Sequence, residues 1–177
     1  MSKKPQFIIV AGINGAGKST LYKVSPFWFE DSIRLNADEI LRKFGGDWRN
    51  KKDTSKAMRI EVEMIKDAFN QRASFHIETT LSGNARGHIN RIAKAHKLGY
   101  RVILHYVYLD NVETSIARVH HRVSIGGHGI PEDVIRKRYA RSIENLSVIK
   151  DLVDEYYIWD NSGENFVLLE KKKESNN

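Results

Sequence analysis

The stretch Gly12-Ile13-Asn14-Gly15-Ala16-Gly17-Lys18-Ser19 matches the phosphate-binding P-loop pattern GxxxxGK[ST] at every fixed position. Glycines let such a loop curl with its backbone N–H groups pointing inward, and the helix that follows presents its positive end to an anion. The lysine reaches the β- and γ-phosphates, and the hydroxyl after it is a ligand for Mg²⁺. The motif therefore predicts a nucleoside triphosphate site with Mg²⁺ as a cofactor.

The segments on either side have the composition that this motif requires. Residues 6–11 form a short apolar run rich in β-branched side chains, which is typical of a buried parallel strand, and residues 19–22 can open a helix. We expect Ser19 to hold Mg²⁺. The residues expected to bind the nucleotide are Gly12, Asn14, Gly15, Ala16, Gly17, Lys18, Ser19 and Thr20.

Length and composition limit the architecture. A chain of 177 residues with 41% hydrophobic content is long enough for one α/β core and too short for two ordinary domains. We predict a single P-loop domain over residues 1–170 and a flexible basic tail over 171–177. The chain has no cysteine, which excludes disulfides and thiolate metal sites, and no long apolar segment. We therefore expect a cytoplasmic protein without membrane contact.

Basic residues cluster in two segments, which account for the formal net charge of +7. Residues 42–56 contain six basic and two acidic side chains, residues 117–141 contain the same numbers, and the rest of the chain sums to −1. Such patches suit a polyanionic small ligand as well as RNA, so charge alone leaves both classes open. We expect a small-molecule partner in preference to nucleic acid.

Strand and helix patterns alternate along the chain. Strands are predicted at 33–36, 74–79, 100–109, 156–160 and 165–169, and helices at 38–44, 54–72, 85–98, 111–123 and 131–149. This alternation predicts a P-loop α/β sandwich, with a mostly parallel sheet flanked by helices.

The sequence does not match the further motifs of two other P-loop classes, the GTPases and the ABC-type ATPases. The GTPase strings DxxG and NKxD occur as residues 160–163 and 50–53, but in the wrong order, and no strand precedes the second. Leu81-Ser82-Gly83 resembles the start of an ABC-type signature, but Asn84-Ala85 departs from it and Asn111 stands where a catalytic glutamate is needed. A kinase that passes phosphate to a hydroxyl requires a carboxylate beside the acceptor and arginines around the transferred phosphoryl group.

Three acidic residues are candidates for the acceptor side. Asp38 follows a short strand, at the sheet edge where ligands of open α/β sheets bind, and is either the general base or a helix N-cap. Glu61 falls inside the apolar arc that Ala57, Met64, Ile65 and Ala68 form on its helix, so it either binds the substrate or pairs with a buried arginine. Glu78 ends an apolar strand before Thr79, and is either a site residue or a cap for the next helix.

Arginines flank a glycine-rich loop in the second basic segment. Residues 124–131 contain three glycines and a terminal proline, which is typical of a mobile lid between two helices. Arg118 and Arg122 are four residues apart on one helix, and Arg138 and Arg141 are three apart on the next. Two arginine pairs are therefore expected to converge on the triphosphate when the loop closes.

These motifs together resemble the zeta-toxin family of P-loop kinases. The resemblance is carried, in chain order, by residues 12–20, Asn36-Ala37-Asp38-Glu39-Ile40, Glu78-Thr79-Thr80, Arg118-Val119-His120-His121-Arg122, Gly126-Gly127-His128 with Pro131, Arg138-Tyr139 with Arg141-Ser142, and Asp160-Asn161-Ser162. Each motif is short, but their order and spacing make the set specific.

The resemblance implies ATP-dependent phosphorylation of a hydroxyl on a sugar nucleotide such as UDP-N-acetylglucosamine, and a possible antitoxin partner. Lys18 and Asp38 would be catalytic, the latter as base. Arg122 and Arg138 are the first choices for neutralising the transferred phosphate, with Arg118 and Arg141 as alternates. The remaining assignments are Asp38, Glu61, Glu78 and Thr79 at the acceptor, and Arg118, Arg141 and Asn161 at the nucleotide. A polynucleotide or nucleoside kinase, and a non-catalytic nucleotide- or RNA-binding module, stay open as alternatives.

Overall fold

The computed structural model describes residues 4–173, which contain a six-stranded sheet and six α-helices. The strands are β1 (Gln6–Ala11), β2 (Ile33–Leu35), β3 (Phe75–Thr79), β4 (Arg101–Tyr108), β5 (Glu155–Asp160) and β6 (Val167–Lys172). The helices are α1 (Lys18–Val24), α2 (Ala37–Lys43), α3 (Lys51–Asn70), α4 (Ala85–Lys97), α5 (Val112–Ser124) and α6 (Glu132–Ile149). A 3₁₀ turn, Pro26–Trp28, follows α1.

The strand order is β2-β3-β1-β4-β5-β6. The first five strands are parallel because helices cross between them, whereas β6 follows β5 through a short loop and pairs with it antiparallel. The predicted α/β sandwich with a mostly parallel sheet is confirmed.

Both faces of the sheet are buried, and β1 contributes to each. Phe7 and Ile9 face a core completed by α3 and α4, while Ile8 and Val10 face a core completed by α1 and α5. Successive side chains of a strand point to opposite faces, so a strand covered on both sides is apolar throughout. The continuous apolar run of residues 7–11 follows from this burial.

The register brings the candidate residues to one edge of the sheet. Val10 pairs with Glu78 and Ala11 with Thr79, so the start of the P-loop lies beside the end of β3. Leu35 pairs with Ile77, which places the end of β2 next to them. The carboxyl ends of parallel strands form the usual ligand site of open α/β sheets.

The structure corrects two details of the sequence analysis. The strand β6 continues through Lys172, so the predicted tail beginning at Lys171 is wrong at its first two residues; residues 174–177 lie outside the described part. Met64, expected on the buried arc of α3, is 37% exposed. Between residues 4 and 173, none of the helices combines the length and apolar character needed to cross a membrane.

Candidate active site

A cleft of about 400 Å³ opens at the carboxyl edge of the sheet, between the P-loop, α2, α3 and the loop before α6. It brings together all of the predicted catalytic and acceptor residues. Its lining consists of Asn14, Lys18, Asn36, Ala37, Asp38, Leu41, Thr54, Ala57, Met58, Glu61, Glu78, Thr79, Thr80, Arg122, His128, Ile130 and Arg138.

The P-loop is held in its curled form by a residue at the far end of the chain. Gly17 has φ 94°, a conformation that side chains disfavour, and a Cβ there would lie 2.1 Å from Nδ2 of Asn161. That Nδ2 donates to the carbonyl oxygen of Ala16 at 2.8 Å. Asn161, predicted to bind the nucleotide, therefore supports the loop in this structure.

Lys18 lies over the loop, with Nζ donating to the carbonyl oxygen of Gly12 at 2.8 Å. Burial lowers the pKa of Lys18 from 10.5 to about 8, and the nearby carboxylates of Glu78 and Asp38 oppose this shift. The ammonium thus lies among carboxylates of the cleft in a poorly solvated position. An anionic phosphate would compensate for the lost solvation.

Arg122 and Arg138, the first choices for neutralising phosphate, both line the cleft. Nη1 of Arg138 donates to Oδ1 of Asn14 in the P-loop at 3.0 Å. The Nε of Arg122 is buried and has no hydrogen-bond partner within residues 4–173. In the same part of the chain neither guanidinium forms an ion pair with an acidic side chain.

The two alternate arginines lie elsewhere, so each predicted pair is split. Arg118 points toward the base of the P-loop and donates to the carbonyl oxygen of Asn161 at 2.7 Å and to that of Gly15 at 3.5 Å. Arg141 is exposed and does not line the cleft. A spacing of three or four residues puts two side chains on the same side of a helix. In each pair, however, only one arginine, Arg122 or Arg138, reaches the cleft.

The helix α6 is fixed to the sheet edge, and this changes the expected role of the lid. Ser142 Oγ donates to the carbonyl oxygen of Thr80 at 2.7 Å, Asn145 Nδ2 to that of Leu81 at 2.6 Å, and Tyr139 OH to that of Leu109 at 2.8 Å. Because these bonds anchor the helix, Arg138 stands in the cleft wall without loop closure.

The glycine-rich loop itself lies against the rim of the cleft. The ring of His128 stacks on Trp48, with centroids 4.4 Å apart and planes 20° apart. The guanidinium of Arg49 covers the same indole, 4.2 Å from its centroid. This stack joins the loop before α6 to the turn between α2 and α3.

Asp38 is free for a chemical role because another residue caps its helix. Oδ1 of Asn36 accepts from the backbone N–H groups of Asp38 at 2.8 Å and Glu39 at 3.2 Å, so the N-cap of α2 is Asn36. The interpretation of Asp38 as the cap is therefore wrong. Its exposed side chain lines the cleft.

Glu78 is held by two donors at the end of β3. Nδ2 of Asn36 donates to its Oε1 at 2.8 Å, and Nη2 of Arg34 forms an ion pair with the same oxygen. The next helix, α4, is capped by Asn84, so the interpretation of Glu78 as that cap is wrong. The Glu78 side chain is 13% exposed and lines the cleft.

Glu61 lies near both of the partners that its sequence position left open, a ligand space and an arginine. It lines the cleft from α3, and burial raises the pKa of its carboxyl group, while the backbone N–H of Ala37 and the half-buried Arg91 act in the opposite direction. The same carboxylate therefore lies close to both a ligand space and a half-buried arginine.

Thr79 and Thr80 line the cleft behind Glu78. The hydroxyl of Thr79 accepts from the backbone N–H of Leu81 at 3.0 Å, which supports Leu81 in the left-handed region at φ 57°. Thr80, which shares a 2.7 Å hydrogen bond with Ser82, was not assigned a role from the sequence.

Ser19 occupies the second position of α1, where it is exposed and outside the cleft lining. A hydroxyl oxygen suits Mg²⁺, which prefers hard oxygen ligands, and Ser19 follows directly on the loop that contains the positive-φ glycines Gly15 and Gly17. The donor chemistry therefore fits the predicted metal.

Three carboxylates, those of Asp38, Glu61 and Glu78, form the acidic side of the cleft. Sequence reasoning missed the residues that organise this side, above all Asn36 and Arg34. A signal for Asn36 existed, because Asn36 followed three residues later by Glu39 has the spacing of a capping box. Arg34, Trp48 and His128 act through contacts between distant segments, which no local pattern reveals.

Known proteins resemble this chain across most of its length. The family model of the zeta toxin matches residues 1–173. A protein of Haemophilus influenzae described as uncharacterized is 34% identical over 134 residues, which cover 75% of this chain and 91% of that protein.

Two solved structures share the fold. One, from the PezAT chromosomal toxin-antitoxin system of Streptococcus pneumoniae, has 18% identity and a TM-score of 0.70, covering 99% of this chain and 75% of the other. The second, AvrRxo1-ORF1:-ORF2 with ATP, has 15% identity and a TM-score of 0.74, covering 95% of this chain and 58% of the other. With the match of the family model over nearly the whole chain, the conclusion is that this chain belongs to the zeta-toxin family.

Proposed function

We propose that this protein is an ATP- and Mg²⁺-dependent kinase that transfers the γ-phosphoryl group to a hydroxyl of a small molecule. The observation that carries the proposal is one cleft in which Lys18, Arg122 and Arg138 face Asp38 and, among residues 4–173, form no ion pair. Three uncompensated cations beside a P-loop suit a triphosphate, and a free carboxylate opposite them suits its acceptor.

Lys18, the two arginines and Asp38 have separate roles in the proposed reaction. Lys18 and the two arginines stabilise the negative charge on the oxygens of the transferred group. The acceptor oxygen forms a bond to the γ-phosphorus as the bond to the β-phosphate oxygen breaks and ADP leaves. Asp38 accepts the proton of the acceptor hydroxyl and returns it to solvent. When bound, Mg²⁺ neutralises phosphate charge, and Ser19 would hold it.

The acceptor side suits a molecule rich in hydroxyl groups. Glu61, Glu78 and Thr79 supply hydrogen-bond acceptors around Asp38, while Met58 and other apolar lining residues can contact the faces of a sugar ring. Together with the family resemblance, this supports a sugar nucleotide such as UDP-N-acetylglucosamine as acceptor.

Mass spectrometry of a cytosolic metabolite pool tests the proposal, with UDP-N-acetylhexosamines included and with ATP and Mg²⁺ added. We expect a product heavier by one phosphoryl group, absent with Lys18→Ala. Asp38→Asn should still bind ATP but form far less product. Unchanged turnover in Asp38→Asn would disprove its role as base, and an unchanged pool with intact ATP binding would favour a non-catalytic nucleotide-binding module.

A polynucleotide acceptor is the second candidate because exposed basic residues continue from the rim. Arg49, Lys51 and Lys52 lie beside Trp48 on the turn into α3, and all three are exposed. Phosphorylation of a 5′-hydroxyl oligonucleotide that falls steeply between about 50 and 200 mM salt would favour this candidate. Phosphorylation only of metabolites, with weak salt dependence, would favour the first.

A protein antitoxin is also proposed as a partner, on the family membership and on the toxin-antitoxin system named for one structural neighbour. Expression in a bacterial host tests whether the protein is toxic. Growth arrest by the wild type and normal growth with Lys18→Ala would support a toxin that needs a partner. Equal growth of both strains would contradict it.

A further inference from the structure

The side-chain amide of Asn36 connects Glu78, the carboxylate proposed to bind the acceptor, to α2, the helix that carries Asp38. We propose that Asn36 is a positioning residue, which fixes Glu78 in the cleft while it caps the helix of Asp38. The inference rests on the proposed kinase function, in which Glu78 binds the acceptor and Asp38 takes its proton.

The hydrogen bonds leave one orientation for the Asn36 amide. Oδ1 accepts from the backbone N–H groups of Asp38 and Glu39, at 2.8 and 3.2 Å. Nδ2 donates to Oε1 of Glu78 at 2.8 Å. Exchanging the two ends would place an NH₂ group against two N–H donors and a carbonyl oxygen against a carboxylate, so every contact would become repulsive.

A second donor, Arg34, holds the same oxygen of Glu78. Arg34 pairs with the same Oε1 through Nη2, and its Nη1 lies 2.8 Å from Oε1 of Glu39 on α2. Both donors thus bind one oxygen of the carboxylate, which fixes the orientation of the Glu78 side chain at the end of β3. Arg34 and Asn36 together connect β2, β3 and the first turn of α2.

The two functions of Asn36 can be separated by substitution. Serine and aspartate both cap helices about as well as asparagine, so Asn36→Ser and Asn36→Asp should keep α2 and Asp38 in place. Serine removes the donor to Glu78, and aspartate replaces it with a repulsive carboxylate. Loss of positioning should therefore affect acceptor binding more than the chemical step.

Asn84 provides the matched control. Its Oδ1 caps α4 by accepting from the backbone N–H of Arg86 at 2.9 Å, and it does not line the cleft. Asn84→Ser and Asn84→Asp reproduce the change of cap without changing the acidic side of the site.

The experiment combines thermal unfolding, kinetics with UDP-N-acetylglucosamine as the acceptor probe, and the ¹³C resonance of the Glu78 carboxyl group, assigned with Glu78→Gln. We expect Asn36→Ser to unfold modestly below Asn84→Ser, because one hydrogen bond to Glu78 is lost. Asn36→Asp should unfold further below Asn84→Asp, because a second carboxylate then faces Glu78, and both Asn36 variants should displace the Glu78 resonance. The acceptor KM should rise about 10- to 100-fold, the effect of losing a charged hydrogen bond, with a smaller change in kcat and in the KM for ATP.

An undisplaced Glu78 resonance would overturn the proposal, as would an unchanged acceptor KM or the same kinetic loss in the Asn84 variants. If the wild type does not phosphorylate the probe, the proposed acceptor fails, but the resonance still decides the role of Asn36. Displacement in the Asn36 variants alone would support positioning of Glu78, and no displacement would overturn it.

Discussion

Asn161 lies against Gly17, with its side-chain amide where a Cβ of that glycine would be. The contact joins the end of β5 to the last turn of the P-loop, more than a hundred residues away in the chain. It makes the loop conformation a property of the whole sheet edge, because the same amide also binds the carbonyl oxygen of Ala16.

Gly17→Ala should disrupt this contact. The added Cβ would lie 2.1 Å from Asn161 Nδ2, at a backbone φ of 94°. We expect a loss of about 1–3 kcal/mol in the free energy of unfolding and at least a tenfold weaker ATP affinity. Chemical denaturation and calorimetric titration measure the two effects.

Gly87→Ala is the control for that substitution. Gly87 lies within α4 and is exposed, and a Cβ added there would meet no atom within 4 Å, so alanine should stabilise the protein by roughly 0.5–1 kcal/mol. ATP affinity should not change. Equal effects of both substitutions would contradict a specific contact between Gly17 and Asn161.

Arg138→Ala should lower kcat by about 10²- to 10³-fold, because it removes a donor from the site of the transferred phosphoryl group. Arg136 lies two residues earlier on α6, is exposed, and pairs with Glu113 on the surface. Steady-state kinetics should therefore show nearly normal kcat for Arg136→Ala. Similar losses in both variants would indicate a general effect on α6.

ATP binding should weaken as the pH rises above about 8. Burial lowers the pKa of Lys18 to about 8, so the free site loses the lysine charge above that pH, and phosphate binding must restore it. Calorimetry at pH 8.5 in buffers of different ionisation enthalpy should detect proton uptake on ATP binding, and little uptake at pH 6.5. Equal uptake at both values would contradict this role for Lys18.

Acid should destabilise the fold through two buried histidines. Burial lowers the pKa of His76 to about 4 and that of His105 to about 3, so both are neutral in the folded protein and charged in the unfolded chain below about pH 6.5. The contribution of the two neutral histidines to the free energy of unfolding is complete above that pH. It decreases as the pH falls, by up to about 1.4 kcal/mol per pH unit for each histidine.

His76→Asn isolates one of these contributions. Urea unfolding between pH 7 and 4.5 should give a shallower loss of the free energy of unfolding than in the wild type. His121→Asn, at an exposed position, should leave the wild-type slope unchanged. A His76→Asn slope identical to that of the wild type would assign the acid sensitivity to other groups.

Local patterns were sufficient for the fold. The apolar run before Gly12, the P-loop and the alternation of strands and helices predicted the parallel sheet, since both faces of a covered strand must be apolar and each parallel connection needs a crossover. The same patterns predicted Lys18, Asp38 and Glu78 at the ligand edge, because parallel strands end there.

The roles of neighbouring candidates depend on tertiary contacts. Whether Asp38 caps its helix depends on Asn36, whose side chain reaches both the helix end and Glu78 on another strand. Likewise Arg138 meets the P-loop while Arg141 does not, because bonds across the sheet edge set the rotation of α6. Local periodicity and spacing are properties of the sequence, and they define the elements and the chemistry at their ends. Contacts between distant segments select which of those groups face one cleft.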